Sequence, residues 1–291
     1  MMPILLEIGP VVIYSFGVVV FLGFILASFL CFRRLRDENF EENDIFDGVL
    51  FSGFFGLVFS RIFYCALNFK TFGSDLFRIL NFGKHVGFSL WGFLFGVFFG
   101  IWLFCRKKGW NFFSVMDNFT IPLAVFLIFI QVGCFFNGCN YGAVTTLPWG
   151  LELPGTFQKR HPIFLYEAIL LVIILVWLMK IEKRWRSFEW YKSNKPGFMF
   201  CLFLGIFGLV RVGLDFFSED KLYWRSLNLK ILAPALLGLM FLGILYLRSE
   251  RSAREDFRSI FFFLKKEDKE TKKEEWSLTK KIKFFKDKEQ K

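Results

Sequence analysis

Two histidines among 291 residues, no CxxC pair and no His-containing ligand spacing leave little from which to build a metal centre. The six cysteines (31, 65, 105, 134, 139 and 201) lie in or at the ends of apolar stretches. Small buried hydrophobes are expected from them, and neither zinc nor disulfide bonds are. No basic leader precedes the first apolar run and no AxA-type site follows it, so it is expected to remain as a helix rather than be removed as a signal peptide. Internal repeats and long linkers are also missing, which points to one domain followed by a tail. Acidic residues are outnumbered, 26 against 37 Lys and Arg, for a net charge of +11. That surplus falls in short loops and a Lys-rich tail beside apolar segments. The pattern suits a face next to anionic lipid headgroups and not a nucleic-acid partner.

Hydrophobic residues, by contrast, make up 55% of the chain, with 45 Phe. Apolar runs near the roughly 20 residues needed to cross a bilayer occur at 10–32, 46–68, 86–105, 119–137, 162–179, 197–217 and 229–247. The expected fold is therefore an all-α polytopic membrane protein with seven transmembrane helices. Lys and Arg crowd alternate loops: Arg33, Arg34 and Arg36; Arg106, Lys107 and Lys108; and six between Lys180 and Lys195. The other loops carry fewer, such as Lys70, Arg78 and Lys84, or Lys221 and Arg225. By the positive-inside rule the N-terminus lies outside and the C-terminus in the cytoplasm. The expected division is a membrane domain over 1–247 and a basic tail over 248–291.

Two arginines sit within these runs, Arg61 and Arg211. A guanidinium at membrane depth costs at least about 2.5 kcal/mol, so it faces an anionic partner or a polar cavity. Asp215 lies four residues after Arg211, on the same helical face. Arg61 has no carboxylate at that spacing, which favours a ligand or a distant acid. The stretch 131–168 is the most irregular of the chain. Gln131, Asn137 and Asn140 place amides at membrane depth, where each needs a partner. Gly133, Gly138 and Gly142 permit turns or close approach. Farther on come LPWG (147–150), then His161, Tyr166 and Glu167 at the start of the fifth run. In the third run Gly87, Gly92, Gly96 and Gly100 recur at a spacing suited to close helix packing, with Ser89 and Trp91 beside them.

Taken in order, these segments resemble bacterial prolipoprotein diacylglyceryl transferases. The resemblance rests on EIGPVVIYSFG at the start, GLVFSR at 56–61, GFSLWGFLFG from Gly87, Asp117 before the fourth run, QVGCFFNGCNYG from Gln131, and then LPWG, RHPIFLYEA and RVGLDFFSED. It spans residues 8 to about 247. It implies transfer of the diacylglyceryl group of phosphatidylglycerol to the thiol of a lipobox cysteine in a prolipoprotein signal peptide, in the bacterial inner membrane and without a cofactor or metal. It further implies Arg211, Asp215, Asn137 and Tyr166 as catalytic residues. Arg61, Gln131, Ser89, Trp91, Gly142, His161 and Glu167 are implied as substrate-binding residues.

Several positions depart from that family's pattern. Gln131 stands where its signature carries arginine, Trp91 where it has His or Tyr, and Phe16 where the first helix has Tyr. Cys139 replaces a Glu, Asp215 a longer acid and Ser218 a second arginine. Arg211 and Arg61 are thus left as the cationic clamps, with Lys230 a candidate to compensate for Gln131. Two other readings compete. One is a non-catalytic relative that binds lipid or precursor. The other is a small anion transporter, which would require inverted repeats.

Overall fold

A computed structural model of the chain describes residues 4–8, 11–68, 73, 87–152, 158–191, 193–219, 223–224 and 227–252. The loop charges Lys70, Arg78, Lys84, Lys221 and Arg225, the side chain of Lys230 and the tail from 253 lie outside the described residues. Among the described residues, seven helices are long and apolar enough to cross a membrane. They are α1 (Ser15–Asp37), α2 (Glu42–Leu67), α3 (Leu90–Lys108), α4 (Phe112–Asn137), α5 (Ile163–Glu182), α6 (Phe198–Asp215) and α7 (Leu229–Arg248). The large exposed side chains that cover them, such as Phe21, Phe54, Leu57 and Leu239, suit contact with lipid chains.

Among the described residues, three small antiparallel pairs flank the helices: β1 (Ile4–Ile8) with β2 (Val11–Tyr14) ahead of α1, β3 (Leu151–Glu152) with β4 (Lys159–Arg160) between α4 and α5, and β5 (Tyr223–Trp224) with β6 (Leu227–Asn228) between α6 and α7. The first accounts for a shift of boundary. Residues 10–14 were expected to open the first helix, yet the β-branched run Val11–Val12–Ile13 pairs with β1 and α1 begins only at Ser15. The fourth helix starts earlier than its apolar run. Asn111 caps it, its Oδ1 accepting from the backbone N–H of Phe113 (3.0 Å) and of Ser114 (3.4 Å).

Asp117, expected before the fourth helix, therefore lies inside it. There it caps a different helix: its carboxylate accepts from the N–H groups of Gly197 (2.6 Å) and Phe200 (3.0 Å) at the start of α6. An anion at a helix N-terminus also complements the helix dipole.

Helices α2 and α3 meet closely because α3 presents Gly92, Gly96 and Gly100 to its partner. A Cβ on Gly96 would stand 2.3 Å from the Phe55 carbonyl oxygen, and one on Gly92 2.6 Å from that of Phe59. The four-residue glycine spacing thus serves packing, as the sequence suggests. On α6 and α7 a similar approach occurs at Gly208 and Gly238. A half-buried ion pair ties other elements: Arg34 of α1 holds Glu182 of α5 and donates from Nε to the Asn118 carbonyl at 3.0 Å. Among the described residues, those of 186–194 and of 246–252 belong to a second compact unit, within which the Ser193 hydroxyl donates to the Arg248 carbonyl.

Cysteines 31, 65, 105 and 201 are free and buried, as apolar fillers should be. The expectation of no disulfide is overturned by Cys134–Cys139. Gly138 ends α4 in the left-handed region (φ 71°), where glycine carries no steric penalty. The reversal lets both Gly138 and Cys139 donate their N–H groups to the Cys134 carbonyl, at 2.9 and 3.1 Å. It brings the two cysteine Cα atoms to 4.8 Å, within the bridging range. A search for CxxC spacing misses this pair because the turn, not a short loop, sets the separation.

Candidate active site

Arg211 lies on α6, one turn before its end. Its Nη1 donates to Glu167 Oε2 of α5 at 2.6 Å, and its Nη2 to Asp215 Oδ1 at 3.1 Å. Both carboxylates are buried, and together they supply the anionic partners that an intramembrane guanidinium demands. The Nε–H of Arg211 is buried and meets no acceptor among the described residues.

Asn140 extends the cluster. Its Nδ2 donates to Glu167 Oε2 at 3.2 Å and to Gln131 Oε1 at 3.4 Å. Asn140 has φ 60°, a conformation that asparagine tolerates better than most residues. Its carbonyl also accepts from the Phe164 N–H at the head of α5 (3.3 Å). These side chains line a cavity of about 180 Å³ that includes Trp91, Gln131, Asn140, Glu167 and Arg211 together with Cys134.

Leu90 and Ile130 line this polar cavity and also a second one of about 680 Å³. The second is almost wholly apolar and sits among α1, α2, α3 and α4, where it reaches the exposed Phe21, Phe54 and Leu57. A charged pocket thus lies beside a hydrocarbon-lined chamber that meets the lipid-facing surface, with Leu90 and Ile130 as their shared wall.

A separate polar group occupies the loop at the head of α5. Tyr166 OH lies 3.2 Å from His161 Nδ1 and accepts from Trp149 Nε1 at 2.9 Å, while the His161 ring packs against Phe217 at 5.3 Å between centroids. Tyr166 and Glu167 are adjacent in sequence, so their side chains diverge by about 100° on the helix. One faces the loop group and the other Arg211. Nearby, burial pushes the Tyr141 phenol up from its ordinary pKa.

The loop itself is pinned by backbone bonds. Gly142 N–H donates to the His161 carbonyl (2.8 Å), His161 N–H to that of Ala143 (3.1 Å), and Ala143 N–H to that of Phe217 (2.8 Å). Gly142 is there for space: a Cβ would fall 2.4 Å from the Phe217 carbonyl oxygen. Outside the loop, Arg160 pairs with Glu219.

Of the residues singled out from the sequence, Arg211, Asp215, Glu167, Gln131 and Trp91 are brought together, and Tyr166 with His161 forms the neighbouring group. The rest are placed elsewhere. Asn137 ends α4 with its side chain exposed. Ser89 caps α3, its Oγ accepting from Gly92 N–H (3.4 Å), and its carbonyl accepts from Ser60 Oγ (2.9 Å). Arg61 is buried in α2, donates from Nη1 to the Gly87 carbonyl (2.9 Å) and lies over the Tyr64 ring at 5.8 Å. Asn140 is the cluster member that the candidate set lacks. Its signal was an amide two residues past a turn glycine, a place where Asn readily adopts positive φ.

Seven apolar helices, four of which line a cation–carboxylate cavity that adjoins a hydrocarbon chamber, define a multi-pass membrane protein suited to an amphipathic, anionic substrate. The chain belongs to the prolipoprotein diacylglyceryl transferase family, whose model matches residues 3–248. Similar proteins include the phosphatidylglycerol–prolipoprotein diacylglyceryl transferase of Clostridium tetani, 27% identical over 228 residues covering 76% of this chain and 86% of that one. The enzyme of that name from Oleidesulfovibrio alaskensis is 30% identical over 269 residues, covering 86% and 95%. That from Glaesserella parasuis is 32% identical over 225 residues, covering 75% and 80%.

Proposed function

We propose that the protein transfers the diacylglyceryl group of phosphatidylglycerol to the lipobox cysteine of a prolipoprotein signal peptide at the outer half of the bacterial inner membrane. In this reading the N-terminus is outside, the C-terminus is cytoplasmic and the tail from 248 lies on the basic cytoplasmic face. The relatives' names supply the substrate pair. The observation that carries the reading within this chain is that the two cavities lie side by side, with Leu90 and Ile130 lining both. They offer the phosphate a cationic pocket and the acyl chains an apolar one.

The step is a displacement at carbon. The cysteine sulfur attacks the glyceryl carbon that bears the phosphate, a C–S bond forms, the C–O bond breaks and glycerol phosphate leaves with the electron pair. Negative charge grows on the departing phosphate oxygen, so a fixed cation there lowers the barrier. Arg211 fills that role, its orientation held by Glu167 and Asp215. Asp215, the second carboxylate beside Arg211, takes the thiol proton in this scheme. Tyr166, His161 and Trp149 stand at the loop where the peptide would arrive.

The test is transfer of labelled phosphatidylglycerol to a lipobox peptide by the purified protein in detergent, beside Arg211→Ala. Label on the peptide thiol that disappears in the variant supports the reading. A parent chain that binds phosphatidylglycerol but labels no peptide would instead favour a lipid-binding relative without catalysis.

A further inference from the structure

The polar cluster has a fixed direction of hydrogen bonding, and that direction sets what Gln131 offers to a ligand. Arg211 Nη1 donates to Glu167 Oε2 at 2.6 Å, so that oxygen serves as an acceptor in the cluster. The Asn140 side chain must therefore turn its NH2 end, not its oxygen, toward Glu167 Oε2 (3.2 Å). The same NH2 reaches Gln131 at 3.4 Å. Facing a donor, Gln131 has to present its oxygen, which leaves its own NH2 group as the end turned away from Asn140. Among the described residues no acceptor meets those N–H groups. Gln131 lines the same cavity as Arg211, whose Nε–H is likewise without an acceptor there.

We propose that Asn140 is a positioning residue that fixes the polarity of the Gln131 amide. The Gln131 NH2 and the Arg211 guanidinium then face one phosphate as a pair of donors. The inference rests on the phosphate-handling reading above. The chain runs Arg211 to Glu167, Glu167 to Asn140, Asn140 to Gln131, and each link dictates the next by donor and acceptor type alone. A neutral amide that could otherwise flip, and spend half its states offering an oxygen to an anion, is held in its useful orientation. The left-handed backbone at Asn140 aims the side chain back across the turn to reach both partners.

The test uses Asn140→Gly, which keeps the positive φ at no steric cost, and Asn140→Asp, which keeps the shape but cannot donate. Each is made in the parent chain and in Gln131→Leu. The dissociation constant of fluorescent phosphatidylglycerol and the transfer KM and kcat are read on the same full-length preparations. Retention of the Cys134–Cys139 bond serves as the check on the fold of this turn.

In the parent, Asn140→Gly should weaken lipid binding about tenfold with kcat changed less than about twofold, and Asn140→Asp should weaken it further. In Gln131→Leu, Asn140→Gly should add less than about twofold, because the residue through which it acts is gone. An equal loss in both backgrounds would mean that Asn140 merely supports Glu167, and would overturn the proposal. So would parental affinity in Asn140→Asp. Absence of both binding and transfer in the parent chain would overturn the phosphate reading itself, and this inference with it.

Discussion

Arg211 of α6 and Glu167 of α5 meet at 2.6 Å inside the membrane-spanning part of the chain, with Glu167 buried. The pair joins two helices and orients a cation at once, so its two halves should fail differently. Glu167→Ala leaves Arg211 with Asp215 alone and its Nη1 without its acceptor, and should destabilise the fold by about 1–3 kcal/mol, measured by thermal unfolding in detergent. Glu167→Gln keeps an acceptor for Asn140 and should fold. Its kcat/KM for transfer should nonetheless fall about 10–100-fold, since a charge-assisted bond becomes a neutral one.

Arg211→Lys tests geometry at constant charge. A single ammonium cannot reach Glu167 and Asp215 while presenting a further N–H to the cavity. Transfer should fall nearly as far as in Arg211→Ala. Activity near that of the parent would mean that charge alone suffices.

The disulfide makes a prediction in solution. Denatured without reductant, the protein should take up alkylating reagent at the four free cysteines, and after reduction at all six of its cysteines. Loss of the bond in Cys139→Ser opens a very short loop, so the stability cost should be only about 2 kcal/mol. A count of six labelled thiols before reduction would refute the bond.

Gly96 separates packing from propensity. Gly96→Val drives a side chain into the Phe55 carbonyl and should part α2 from α3, with loss of the folded protein on size-exclusion chromatography. Gly243→Ala, where a Cβ meets nothing within 4 Å, should leave the thermal midpoint level or slightly higher.

The apolar chamber should set acyl-chain preference. Gly53 lines it, and a leucine there would extend into a cavity of about 680 Å³. Competition between short- and long-chain phosphatidylglycerols should shift toward the shorter donor in Gly53→Leu. An unchanged ratio would mean that the chains lie elsewhere.

Seven helices, and the face shared by Arg211 and Asp215, could be read from composition and spacing alone. A bilayer needs runs of fixed length, and a four-residue step stacks side chains on one side of a helix. The glycine ladder of α3 was legible for the same reason: its period is local. What the chain order could not supply was which distant residues become neighbours. Gln131 and Asn140 meet because Gly138 reverses the backbone, and that same turn creates the Cys134–Cys139 bridge. Glu167 reaches Arg211 only when α5 packs on α6, and Arg61, chemically as plausible a clamp as Arg211, is taken up by the Gly87 carbonyl and the Tyr64 ring. Local periodicity depends on one helix and is written along it. The partner of a buried charge depends on which helices touch, and only the packed structure decides that.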